Sequence, residues 1–287
     1  MRCSPTSGPV NWPRVTDARR SLFAELVKDG LDEHEARWLV EEFAPRQNLD
    51  ALRTAVTRRQ AGEPIQYVIG HWPFRSLDLD VDSRVLIPRP ESEELVGVAL
   101  GELTRLEVGA PLIMDLGCGS GAIGLALVSE LAQRGTVATL IAVDESSDAL
   151  DVARQNARKH HVKGVSFVRS SWYENLDESL RGRVDLIVAN PPYVGADEFE
   201  GLDPVLRHEP RGAIVANDAE DLVGFEDVAL IIEGAPTWLS SRGVLICEHS
   251  NVHRDGVLGA ARGSGFVRCD DLDDMAGHPR ILVARRS

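Results

Sequence analysis

The chain reads as an α/β protein, a sheet covered by helices on both faces, with a small helical domain ahead of it and a β-hairpin between the two. Three observations predict this. From Glu91 onward, short apolar strands alternate with helical stretches. A glycine-rich run, Met114-Asp115-Leu116-Gly117-Cys118-Gly119-Ser120-Gly121, follows the apolar segment Pro111-Leu112-Ile113 and precedes a helical pattern from Ala122 to Leu131. Before Ala61, apolar residues recur at helical spacing instead.

Taken in chain order, the helical part is marked by Leu22 and Leu26, then Ala36, Leu39, Val40 and Phe43, then Leu52 and Val56. Gly30 is placed to end one helix and Pro45 another, and Asp32 lies near the start of the second. His34 is read as a surface residue. Arg53, Arg58 and Arg59 cluster on the helix before the linker, either as a local basic surface or as a solvated face. Segments around Trp72–Phe74 and Leu77–Val81 alternate in a strand-like way, predicting a hairpin. The expected domains are therefore residues 1–70, a hairpin linker over 71–90, and 91–287. The first is a place for recognition of a macromolecule or simply a packing domain, and both readings stay open.

Within the larger domain the predicted strands continue with Thr139–Val143, Val165–Arg169, Val184–Ala189 and Gly243–Cys247. Val267–Cys269 and Ile281–Ala284 are placed to pair as a closing antiparallel hairpin. His160 and His161, near a helix end, are read as solvent-facing. No internal repeat is visible.

Glycines at 117, 119 and 121 permit a tight turn that a ligand can approach closely, because no Cβ intervenes. Asp144, at the end of the second strand, stands where a carboxylate accepts hydrogen bonds from both hydroxyls of a ribose. Its alternative role is an N-cap for the helix that begins near Ser146 or Ser147. Nicotinamide and sulfonium cofactors both suit such a loop, and the glycine spacing alone does not separate them, since Ala122 at the sixth position from Gly117 is a permitted variant. No downstream set of residues suits hydride transfer.

A different chemistry is suggested by Asn190-Pro191-Pro192-Tyr193, which follows the apolar strand Val184–Ala189. Proline cannot extend the strand, and Pro191 biases Asn190 away from the α region. A planar NH2 group needs two acceptors, and the side-chain oxygen of Asn190 with the carbonyl of Pro191 would supply them. Tyr193 would then cover the flat face of the substrate. The plain alternative is a strand ended by a diproline turn.

Together the loop and the strand end resemble class I S-adenosylmethionine-dependent methyltransferases that modify planar NH2 groups. The resemblance narrows to the protein N5-glutamine methyltransferases that act on peptide-chain release factors. It is carried by Gly62–Gly70, by Val85-Leu86-Ile87-Pro88-Arg89-Pro90-Glu91-Ser92-Glu93-Glu94-Leu95-Val96, by the glycine loop, Asp144 and the Ser171-Trp172 pair, by Asn190–Tyr193, and by Asp274–Arg280. The family's acidic residue before the tryptophan is here Ser171, its Pro-Glu-Thr-Glu is here Pro90-Glu91-Ser92-Glu93, and its glycine-rich stretch after Glu209-Pro210 is here Val215–Asp221, without glycines.

The resemblance implies a Rossmann-like class I methyltransferase sheet and transfer of a methyl group from S-adenosylmethionine to the side-chain nitrogen of a glutamine in a Gly-Gly-Gln motif. It implies cofactor contacts from Gly117, Cys118, Gly119, Ser120, Gly121, Asp144, Trp172 and Asn190, substrate contacts from Asn190, Pro191, Pro192 and Tyr193, and a catalytic role for Asn190, Pro191 and Tyr193. Glutamine methylation of a ribosomal protein, methylation of an exocyclic amino group in DNA or RNA, and a noncatalytic binding module are the rival functions.

Composition bears on partners and compartment. With 31 Lys and Arg against 45 Asp and Glu, the net charge of −14 is poorly suited to nonspecific nucleic-acid binding and suits a basic protein partner. No apolar run approaches the ~20 residues of a membrane span, and Met1–Arg14 lacks the apolar segment of a signal peptide. Cys3, Cys118, Cys247 and Cys269 form no Cys-x-x-Cys pair, which argues against a zinc site and for a reducing compartment. A cytoplasmic, monomeric enzyme without a metal is the expectation.

Overall fold

A computed structural model describes residues 17–44, 49–217 and 224–287. Met1–Arg14, Pro45 and Asp218–Asp221, on which expectations above fall, lie outside the described residues. The chain divides into two compact units, Met1–Ile69 and Gly70–Ser287.

The first unit holds α1 (Asp17–Lys28), α2 (Glu33–Phe43), α3 (Leu49–Gln60) and the short α4 (Ile65–Ile69). Leu26, Leu31, Ala36, Leu39, Val40, Leu52, Ala55, Ile65 and Val68 form its core. Gly30 follows α1 with φ of 93°. Asp32 caps α2 by accepting from the backbone N–H groups of His34 at 2.8 Å and Glu35 at 3.4 Å. The arginines of α3 do not form one basic patch. Arg58 pairs with Glu63 and donates to the Tyr67 carbonyl at 3.1 Å, Arg59 pairs with Glu35, and Arg53 lies 3.4 Å from Asp50.

The second unit begins with the antiparallel hairpin of β1 (His71–Phe74) and β2 (Leu77–Asp80). Phe74, Leu77 and Leu79 are buried in the same cluster as the central strands, so the hairpin is part of this unit's core. The rest alternates in sequence: α5 (Pro90–Leu106), β3 (Leu112–Leu116), α6 (Ala122–Gln133), β4 (Thr139–Asp144), α7 (Ser147–Lys159), β5 (Val165–Arg169), β6 (Val184–Ala189), α8 (Ala196–Phe199), α9 (Glu226–Trp238), β7 (Leu239–Glu248), α10 (Arg254–Gly263), β8 (Arg268–Asp273) and β9 (Pro279–Arg285). Among the described residues one sheet runs β5-β4-β3-β6-β7-β9-β8, parallel from β5 through β7 and antiparallel at β9 and β8.

Side chains of successive strand residues point to opposite faces, and this divides the core. Ile113, Leu140, Leu186, Val188, Val244 and Ile246 pack with α5, α6 and α7, whereas Met114, Leu116, Ile141, Ile187, Leu245 and Cys247 pack with α9 and α10. Both faces are dry, which is why the parallel strands read as nearly continuous apolar runs. A register shift between Val184 and Leu186 lets β7 start at Leu239, four residues before the apolar run that predicted it. At the far edge β8 reaches Asp273 and not merely Cys269. Its outer residues, Asp270, Asp271 and Asp273, are acidic and give no apolar signal, but they pair with Arg285, Arg254 and His249. His160 also differs from expectation. It is half-buried, with Nε2 2.8 Å from the Asp78 carbonyl of the hairpin. No helix among the described residues is long and apolar enough to cross a membrane.

Candidate functional site

The chain leaves β3 toward β4 and β5 on one side and returns to β6 on the other, so the strand order reverses between the parallel neighbours β3 and β6. In open α/β sheets, ligands bind in the crevice at the carboxyl ends of the strands at such a reversal. A cavity of about 310 Å3 lies there, within the size range of small-molecule sites. Gly117 and Gly119 after β3, Asp144 and Ser146 after β4, Ser170, Ser171 and Trp172 after β5, and Asn190 and Pro192 after β6 all line it.

The glycine loop is held by its backbone. Cys118 N–H donates to the Val143 carbonyl at 2.9 Å and Gly121 N–H to the Cys118 carbonyl at 2.7 Å. Gly117 has φ of 70°, and a Cβ there would come within 3.4 Å of the Trp172 ring, so glycine both permits the turn and makes room for the indole. Cys118, Ser120 and Gly121 are buried beneath the loop and do not line the cavity. Burial pushes the Cys118 thiol well above its ordinary pKa, which leaves it a small packing residue.

Asp144 accepts from Gly119 N–H through Oδ2 and from Ser146 N–H through Oδ1, each at 2.9 Å. The helix cap is Ser146, whose hydroxyl accepts from Ala149 N–H at 3.2 Å. Asp144 therefore braces the two loops while facing the cavity. Burial raises its pKa, opposed by those two backbone bonds.

Trp172 sits at φ of 42°, a left-handed conformation that is strained for a bulky side chain. Its indole N–H donates to Asp227 Oδ1 at 3.0 Å, and Asn217 N–H donates to Asp227 Oδ2 at 2.9 Å. Asp227, fully buried, thus ties two walls of the cavity together. A second brace is Glu209, which accepts from Ile87 N–H at 2.9 Å and from Arg89. It joins the wall formed by Arg84, Val85 and Leu86 to that formed by Pro210, Gly212 and Ala213.

At the end of β6, Asn190 donates from Nδ2 to Ser92 Oγ at 3.0 Å, and Ser92 donates to Glu248 Oε2 at 2.9 Å. Tyr193 donates its hydroxyl to Glu248 Oε1 at 3.2 Å and lies under the Arg280 guanidinium, 5.7 Å from its ring centre. Pro191 is buried, and neither it nor Tyr193 lines the cavity. Burial raises the pKa of both Tyr193 and Glu248, the tyrosine further raised by the carboxylate beside it.

Asp227, Glu209 and Glu248 were not singled out by sequence reasoning. Glu248 carries a signal that was available, an acidic residue ending an apolar strand at the same sheet edge as Asp144. Asp227 and Glu209 carry little, since each is one carboxylate in an acidic chain.

Comparison with known proteins agrees with this geometry. A family model described as "Methyltransferase domain" matches residues 111–261. A release factor glutamine methyltransferase of Haemophilus influenzae is 43% identical over 239 residues, which cover 81% of this chain and 79% of that one. Its counterpart in Aliivibrio fischeri is 35% identical over 245 residues, 85% of this chain and 82% of that one. In fold, the chain is similar to a methyltransferase from Pyrococcus furiosus, with a TM-score of 0.52 at 16% identity over 80% of this chain and 99% of that one. The N-terminal domain of human METTL16, solved in complex with SAH, gives 0.54 at 15% identity over 92% and 93%. The sheet is that of a class I methyltransferase, and identity of this level across four-fifths of the sequence is decisive: the chain belongs to the release factor glutamine methyltransferase family.

Proposed function

We propose that this protein transfers a methyl group from S-adenosylmethionine to the side-chain amide nitrogen of a glutamine in a peptide-chain release factor. The observation that carries the reading is Asn190, whose amide stands at the carboxyl end of β6 on the rim of the cavity with its NH2 already committed to Ser92.

The donor set suits S-adenosylmethionine. Asp144 offers a carboxylate to a ribose diol, Gly117 and Gly119 leave one wall without Cβ atoms, and Trp172 adds a flat apolar face. When bound, the cofactor supplies a methyl group activated by a positively charged sulfur. The chain's own task is to present the nucleophile. An amide nitrogen is weak because its lone pair is delocalised into the carbonyl. Asn190 Oδ1, on the cavity rim, accepts one N–H hydrogen and the carbonyl of the buried Pro191 next to it is assigned the other, which fixes the plane of the substrate amide so that nitrogen density faces the donor. Fixed oxygen dipoles beside that nitrogen also favour the positive charge that develops on it as it takes the methyl group, without reorganisation during the reaction, and the nitrogen then releases one N–H proton to solvent to give the neutral N-methylamide. Tyr193 supports this edge from behind through Glu248. The helical unit of residues 17–69 is assigned to recognition of the release factor beyond its glutamine.

Incubation with labelled S-adenosylmethionine and, separately, release factor, ribosomal protein and nucleic acid tests the substrate. Label is expected in the release factor alone. Asn190→Ala is expected to lower kcat by about a hundredfold or more while the affinity for S-adenosylmethionine changes little. Equal turnover by the variant would remove the amide clamp.

A further inference from the structure

The oxygen and nitrogen of a carboxamide are nearly the same size, so packing alone does not decide which of them Asn190 offers to a ligand. The decision has to come from hydrogen bonding. Asn190 Nδ2 lies 3.0 Å from Ser92 Oγ, and Ser92 Oγ lies 2.9 Å from Glu248 Oε2. Ser92 is 3% exposed and Glu248 1%, so water does not compete for these bonds. Both Glu248 oxygens accept in this arrangement, Oε2 from Ser92 and Oε1 from Tyr193. Ser92 must then spend its one proton on Glu248, and only lone pairs remain for Asn190. Asn190 is forced to give an N–H inward, which leaves Oδ1 as the atom offered to the substrate.

The fold builds this arrangement from three separate elements. Cys247 pairs with Ala189 across β6 and β7, so Glu248 and Asn190 emerge side by side at the sheet edge. Pro90 opens α5 at its first turn, and Ser92 follows in that turn, between the two. The other carboxylate oxygen of Glu248 is occupied by the Tyr193 hydroxyl at 3.2 Å. Burial disfavours the ionised form of Glu248, as does Glu91, while the bond from Ser92, Arg280 and the bond from Tyr193 favour it.

We propose that Glu248 and Ser92 are positioning residues for methyl transfer: they set the polarity of a three-member chain of hydrogen bonds that turns the Asn190 amide so that its oxygen accepts from the substrate's NH2. Without them the amide rotates freely between two faces, and in one of these its own NH2 meets the NH2 of the substrate. The inference rests on the reading of Asn190 as an amide clamp.

The test uses full-length protein with release factor as substrate, comparing Ser92→Thr, Ser92→Ala, Glu248→Gln and Asn190→Ala. Thr keeps the hydroxyl that passes the polarity along. Ala removes it. Gln is nearly isosteric with Glu but gives Ser92 an N–H to accept, which lets the whole chain reverse. Ser92→Ala and Glu248→Gln are expected to lower kcat about tenfold or more, the equivalent of one misdirected hydrogen bond, with the Kd for S-adenosylmethionine within about twofold of wild type. Ser92→Thr is expected to keep kcat within about threefold. A merely structural role would instead lower the melting temperature and weaken cofactor binding in step with activity. If Ser92→Ala and Glu248→Gln turn over normally while Asn190→Ala is inactive, the clamp stands and the positioning role is overturned. Loss of activity in Ser92→Thr equal to that in Ser92→Ala overturns it as well. If Asn190→Ala itself turns over normally, the clamp reading falls and takes this inference with it. Should Ser92→Ala fold poorly, the near-isosteric Glu248→Gln carries the same comparison.

Discussion

Asp115 is the penultimate residue of β3, just before the glycine loop, and is 1% exposed. Its Oδ2 accepts from Gly124 N–H at 2.9 Å, while its Oδ1 has no hydrogen-bond partner among the described residues. Burial pushes its pKa from an ordinary 3.8 up to about 7, opposed by the Gly124 bond and reinforced by the nearby charge of Asp144. The folded state therefore holds a proton at pH values where the unfolded chain has released it. Stability from this group is fully present below pH 3.8 and is lost as pH rises toward 7, at up to about 1.4 kcal/mol per pH unit. Between pH 5 and pH 8 the loss sums to about 2–3 kcal/mol, because the slope flattens once the folded protein also ionises.

Asp115→Asn removes the titration and keeps the acceptor for Gly124. Groups away from Asp115 titrate alike in both proteins, so the difference between their stabilities isolates this carboxylate together with its coupling to Asp144. Urea unfolding without cofactor, at half-unit steps from pH 5 to 8, is the assay. Wild type is expected to lose about 2–3 kcal/mol relative to Asp115→Asn across that range, with little further change above pH 8. Parallel stability curves for the two proteins would show that Asp115 is ionised throughout and refute the reasoning.

Two further outcomes follow from the same loop. Asp144→Ala removes the carboxylate that faces the cavity and releases the N–H groups of Gly119 and Ser146. The Kd for S-adenosylmethionine, read by calorimetry, is expected to rise about thirtyfold or more, and a change under threefold would contradict the role given to Asp144. Gly124→Ala would place a Cβ 2.7 Å from Asp115 Oδ2 and 2.9 Å from a Leu140 methyl, so one of these two buried side chains must shift. A loss of about 1–3 kcal/mol is expected in urea unfolding, where an unchanged midpoint would contradict it.

Much of the architecture was legible because it depends on neighbours in the chain. The strands through Met114, Ile141, Ile187 and Leu245 are buried on both faces, so each appears as an apolar run, and the glycine loop and Asn190–Tyr193 announce themselves by backbone rules that act over a few residues. Where an element meets water on one side or depends on a distant partner, that legibility fails. The acidic half of β8 is an edge strand whose pairing with β9 leaves no periodic mark, and His160 looked solvent-facing until the hairpin carbonyl of Asp78 was folded against it.

The sequence by itself determined that the glycine loop, Asp144 and Asn190 lie at strand ends, because apolar runs and turn chemistry are local properties. Only the tertiary structure decided how those residues are held. Ser92 and Asn190 are 98 positions apart and Ser92 and Glu248 are 156, yet they form one buried chain of bonds. Asp227 reaches across 55 positions to the indole of Trp172. A buried polar atom must find a partner somewhere, but sequence order does not say where, because the partner is chosen by the packing of the sheet and not by the chain between them.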